Sequence, residues 1–110
     1  MASGLLGKAV LVANVPTIIY PVPANVEFVT LNINVVNTSV TIGDTAKVNI
    51  AISTLNVPNR EDYVEYGVAL SSNGGVLERT GVICSPGEKI IITSTVSNVT
   101  VRINGIEEMM

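Results

Sequence analysis

The chain has 110 residues, room for one domain and not two. Hydrophobic residues make up 47% and charged residues only 14%, which excludes disorder, because there is enough apolar side chain to offset the entropy of ordering. Six Lys+Arg against nine Asp+Glu give a net charge of −3, the wrong sign for a phosphate-binding surface, and no His with a single Cys removes His-based triads, the usual zinc sites and any internal disulfide.

In chain order, residues 1–7 hold two Gly and a Ser and read as a flexible or partner-docking arm. A β-sandwich domain is expected over 8–107, with a short tail at 108–110. Val, Ile and Thr number 18, 12 and 10, and these β-branched side chains suit a pleated sheet. Strands are expected near 7–13, 17–21, 26–37, 45–54, 62–70, 76–84, 88–95 and 99–106. Apolar and polar residues alternate through Leu31-Asn32-Ile33-Asn34-Val35, through Ala46 to Ser53 and through Val99 to Asn104. Period two with one apolar face describes antiparallel strands on a single core. Leu31, Ile33, Val35, Val48, Ile50, Ile52, Val99, Val101 and Ile103 should line it.

The separators carry turn chemistry. Ser85-Pro86-Gly87-Glu88 presets φ with Pro and accepts positive φ at Gly87. Gly74-Gly75 reads as a hairpin turn, and Ser97-Asn98 as the turn closing a last hairpin. Turns every 8–12 residues or so mark a sandwich or small barrel. Asn59 to Tyr66 could hold a helical turn after Pro58, but its Val/Tyr content and Gly67 favour a strand. The expectation is an all-β, single antiparallel β-sandwich of seven to nine strands, immunoglobulin-like or jelly-roll-like.

No constellation of catalytic residues stands out. Glu61, Asp62 and Glu65 sit in a polar turn and Glu107-Glu108 near the tail, where carboxylates are solvated and ionised rather than tuned for acid–base work. Arg60 lies among the former acids and argues against a calcium loop. Ser and Thr lack a base, since no Ser-x-x-Lys pattern occurs. Cys84 reads as a small buried side chain, with no base nearby to activate it. Tyr63 and Tyr66, three apart on a strand, should point to opposite faces and form no sugar-stacking platform. Arg79 and Arg102 look like outward strand positions that pair with acids across strands or across subunits. No cofactor and no metal is implied.

The mean hydropathy is high for a soluble chain of this size, so apolar surface must face something other than water. No apolar run approaches the ~18–20 residues of a membrane span, and the N-terminus lacks the basic region of a signal peptide. A partner subunit is the simplest remaining cover. Leu5, Leu6, Val10, Val12, Arg79 and Arg102 are the candidate assembly interface.

An ordered set of motifs adds to this. It runs through Ile19-Tyr20-Pro21-Val22-Pro23-Ala24, Asn32-Ile33-Asn34-Val35-Val36-Asn37 and Val48-Asn49-Ile50-Ala51-Ile52-Ser53. It continues with Asp62 to Tyr66, Gly75 to Val82 and Ser85 to Ile90, and ends in Val99 to Glu107. Over roughly residues 17–107 the chain resembles small virion structural proteins of tailed bacteriophages, notably phages of cyanobacteria. The resemblance implies a non-enzymatic, many-copy component of a virion assembled in the host cytoplasm. Its partners would be itself, as a homo-oligomer, and other virion proteins, with no nucleic acid and no membrane. Capsid decoration or cement, or an accessory particle protein, is the first expectation. A tail, neck or fibre-associated component, or a host-surface binding module, is the alternative.

Overall fold

The computed structural model describes residues 3–109. They form eight strands: β1 (Ser3–Leu11), β2 (Thr17–Pro21), β3 (Val26–Asn37), β4 (Ala46–Ser53), β5 (Tyr63–Leu70), β6 (Val76–Cys84), β7 (Lys89–Ser94) and β8 (Val99–Met109). A single 3-10 turn, Arg60–Asp62, precedes β5. Asn59 caps it, and its backbone N–H donates to the Asp62 carboxylate at 2.8 Å. The alternating segments are strands as expected, with the largest differences at the two ends. Residues 3–7, expected as an arm, are the first half of β1. Glu108 and Met109, expected in a tail, continue β8, which stays paired with β3 as far as Met109↔Val26.

Two four-stranded antiparallel sheets stack face to face. The first has the order β1-β8-β3-β6 and the second β2-β7-β4-β5. Only β4 and β5 are both consecutive in the chain and paired, among the described strands. Every other connection crosses from one sheet to the other. The segments 71–75 and 95–98 are therefore inter-sheet crossings and not hairpin turns. A turn reverses the chain whether or not the flanking strands bond to each other, so turn residues alone do not specify pairing. This strand order is that of a jelly roll, two interlocked Greek keys. An immunoglobulin-like order, with sequential strands paired within a sheet, is not what forms.

The core lies between the sheets. Leu31, Ile33, Val35, Val48, Ile50, Val99, Val101 and Ile103 are fully buried, and Ile52 is half-buried against the same cluster. The sheets meet closely along one edge, where a Cβ on Gly7 of β1 would lie 2.5 Å from the Ile19 carbonyl oxygen of β2. Along the other edge the Arg79 guanidinium of β6 reaches the Glu65 carboxylate of β5 at 3.6 Å. Tyr20 of β2 donates its phenol proton across the core to Glu107 of β8. Both residues are buried, so Glu107 is not the solvated acid its position near the tail suggested. Extending β8 places it on the inward parity of Val101 and Ile103. Burial first, then the Glu107 carboxylate, push the Tyr20 phenol well above its ordinary pKa.

Both strands of the Arg79–Glu65 edge are bulged beside a glycine in the left-handed region. On β6, Leu31↔Val82 is followed by Ile33↔Arg79, which inserts one residue next to Gly81 at φ +66°. On β5, Val48↔Val68 is followed by Ile50↔Glu65, which does the same next to Gly67 at φ +65°. In each case an Asn on the neighbouring central strand accepts the bulged N–H: Asn32 from Gly81 at 3.0 Å and Asn49 from Gly67 at 2.7 Å. Bulges of this kind blunt an edge against further strand pairing.

Candidate assembly interface

The outer face of the first sheet carries three of the six candidate residues. Leu5 and Val10 of β1 and Arg102 of β8 all point away from the core, with Val10 65% exposed. Leu6 sits at a β1 bulge between Leu5 and Gly7 and packs inward on the core. Val12 lies just past β1, at the end of the sandwich. Arg79 is turned inward, opposite buried Ile33, and its charge is used on Glu65 within the chain. The outward orientation expected of Arg79 fails because the Gly81 bulge shifts the side-chain parity of β6 by one.

Register assembles this face into transverse rows. Lys8 pairs with Arg102, Arg102 with Asn34, and Asn34 with Glu78, one residue from each strand of the sheet. Asn34 Nδ2 donates to Glu78 Oε1 at 2.8 Å, and Arg102 Nε leans along its own strand to Asn104 Oδ1 at 3.3 Å. The row is positive toward β1 and negative at β6. The next row is Val10, Thr100, Val36 and Val76. Val10 and Val76, at its two ends, are exposed. Lys8, Val10, Asn34, Thr100 and Arg102 line a shallow cleft of about 510 Å³ between these rows. Lys8, Asn34, Glu78 and Val76 were not singled out from sequence. The alternation shows which face they occupy, but only cross-strand register brings them into line.

The end of the sandwich that bears Val12 is a second apolar surface. Four connections converge there and are tied together by backbone bonds: Asn14 N–H to the Ser94 carbonyl at 2.7 Å, Thr38 N–H to Asn98 at 3.0 Å, and Asn73 N–H to Ser39 at 2.7 Å. Buried Asn37 adds side-chain bonds to the carbonyls of Asp44 at 2.8 Å and Leu70 at 3.0 Å. Val12, Val15, Val40 and Ile42 stand exposed on this platform, Ile42 at 93%.

The outer face of the second sheet is different. Ala51 and Ile91 point outward from it, yet both are buried. The connection from β4 to β5 folds over them, with Val57, Pro58 and Tyr63 lining the cleft above Ile91. At the β5 edge, Tyr63 and Tyr66 touch edge to face, with ring centroids 5.1 Å apart and planes at 83°. This contradicts the expectation that they point to opposite faces, because a second register shift on β5, from Ile50↔Glu65 to Ala51↔Tyr63, adds a residue between them and breaks the alternation. Arg60 completes a cleft of about 560 Å³ with the two rings. Neither ring enters the core.

Among the described residues, no three His, Cys, Asp or Glu side chains come together as a metal site. Nor do the described residues form a helix long and apolar enough to cross a membrane. Cys84 is a buried free thiol, and burial, followed by the charge of Glu88, raises its pKa to about 11.

No family model matches the sequence, and no curated protein matches it. Solved structures do match the fold. Two crystal structures of a pentameric capsid protein isolated from metagenomic phage sequences superpose with a TM-score of 0.51, at 14% identity, over 99% of this chain and 70% of theirs. At that identity, what is shared is the fold.

Proposed function

We propose that the chain is a non-enzymatic structural component of a tailed-phage virion, present in many copies as a homo-oligomer and bound to the shell as a decoration or cement protein. The observation that carries this reading is the jelly-roll sandwich, alike over nearly the whole chain to a capsid protein from phage sequences described as pentameric. The resemblance of residues 17–107 to small virion proteins of tailed phages, those of cyanobacteria among them, supports it. So do the two exposed surfaces, the Lys8–Arg102–Asn34–Glu78 face and the Val12–Val15–Val40–Ile42 end, which would dock on itself or on other virion proteins. In this reading Leu5, Val10, Val12 and Arg102 serve assembly, whereas Leu6 and Arg79 hold the protomer together.

Cryo-electron microscopy of particles from the phage that encodes the chain tests the proposal. The expected result is density for the jelly roll at every symmetry-equivalent position of the head. Absence of the chain from purified particles by mass spectrometry would overturn it. A second reading, a host-surface binding module, draws on the Arg60–Tyr63–Tyr66 cleft, which groups an arginine with the exposed Tyr66 and the half-buried Tyr63. Density confined to fibre tips would select that reading instead.

A further inference from the structure

The outer face of the first sheet has a symmetry of its own. Its strand order, β1-β8-β3-β6, places a midline between β8 and β3. A two-fold axis along that midline, in the plane of the face, would bring a second copy face to face. It would set β1 over β6 and β8 over β3 of that copy. The rows then meet like with complement. Lys8 faces Glu78, and Arg102 faces Asn34. In the apolar row Val10 faces Val76, and Thr100 faces Val36. On the other side Asn104, which pairs with Asn32 within the chain, faces the Asn32 of the second copy. Each of these contacts occurs twice, as an isologous interface requires.

We infer that this face binds a second copy of the chain through that two-fold contact. Charge complementarity identifies the occupant: the positive side of the row at β1 and its negative end at β6 exchange places under the operation. Area agrees. Four strands at ~4.8 Å spacing and 11 residues of β8 at ~3.4 Å each give a face of about 700 Å² per copy, close to the ~800 Å² per partner of a stable complex. Exposed Ile83 and Ile106 extend the apolar fraction in the row that joins Ile106, Thr30 and Ile83. The inference goes beyond the role in a particle and does not depend on it, since it concerns the purified chain in solution.

Charge exchange tests it. Sedimentation equilibrium of the full chain over a wide concentration range should show a two-fold step in mass, either of the protomer or of a ring. Lys8→Glu places two carboxylates opposite each other at both symmetric contacts, and Glu78→Lys places two ammonium groups. Each variant alone should weaken the step by at least about tenfold in Kd. Mixed one to one, the two variants should associate again, because both contacts then pair opposite charges. Both positions are exposed, so the circular dichroism of each variant should match the parent. A parent without the two-fold step, single variants that associate as the parent does, or a mixture no tighter than its components would each overturn the inference.

Discussion

Ile50 is the residue on which the packing argument can be tested most directly. It is fully buried at the centre of the second sheet, in register with Ile92 of β7 on one side and Glu65 of β5 on the other. Ile50→Ala removes three carbons, worth roughly 0.8 kcal/mol each in transfer, or about 2.4 kcal/mol. The second sheet is held between the core and the β4–β5 connection that covers Ala51 and Ile91, so the site has little freedom to collapse. The cavity term should then carry the total to about 3–5 kcal/mol. For a domain near this size each kcal/mol shifts Tm by roughly 4–8 °C, so a drop of at least about 12 °C is expected. Ile52→Ala, two residues along the same strand but half-buried, should cost clearly less. Thermal melts of both variants, run at the same dilution to hold association constant, provide the comparison. An Ile50→Ala melt within about 4 °C of the parent, or a larger loss at Ile52, would refute the reasoning.

Three other outcomes are expected. Gly105→Ala should prevent proper closure of the first sheet, because the new Cβ would lie 2.3 Å from the Thr30 carbonyl oxygen and 2.7 Å from the Leu31 Cα, both backbone atoms; soluble yield and near-ultraviolet circular dichroism read this. Arg79→Ala should cost under about 1 kcal/mol and become nearly neutral at high salt in denaturant titration, because the Glu65 pair is partly exposed. The Cys84 thiol binds its proton more tightly folded than unfolded, so its contribution is complete below pH 9.0 and is lost as pH rises toward about 11. Cys84→Ala should therefore show a shallower fall in stability across that window than the parent, as measured by urea midpoints at stepped pH.

The sequence carries the strands and most of the core, because burial on one face leaves a period of two that any reader can count. Leu31 to Val35 and Val99 to Ile103 show it in full. Pairing is another matter. Ser71 to Gly75 and Ser97-Asn98 have turn composition, yet each lifts the chain to the opposite sheet, and nothing local distinguishes that from a hairpin. The misjudged orientations share one cause. Arg79 lies two residues before the Gly81 bulge, and Tyr63 and Tyr66 flank the register shift between Tyr63 and Glu65; in each case an added residue resets parity. Gly81 is the available signal for Arg79, since a glycine inside a strand marks a bulge, whereas no glycine marks the shift between Tyr63 and Glu65. Glu107 was misread because acids at the end of a chain are usually solvated, and only register with Val29 of β3 shows that it lies over the core. The candidate assembly face is half legible: Val10 and Arg102 stand out as apolar and charged residues in strand segments, but their alignment with Glu78 requires strands far apart in sequence to be placed side by side.

β8 lies between β1 and β3, so the last of the eight strands described is an interior strand of its sheet. On the ribosome, β1 and β3 are synthesised early and neither can bond across the slot until residues 99–109 emerge. Sheet closure thus depends on contacts of long sequence separation, such as Ser3↔Ile106. Such topologies fold in milliseconds to seconds rather than microseconds. During that interval two unpaired strand edges face a strand-wide gap. Yield should therefore fall as synthesis rate rises, and slower expression at lower temperature should recover it.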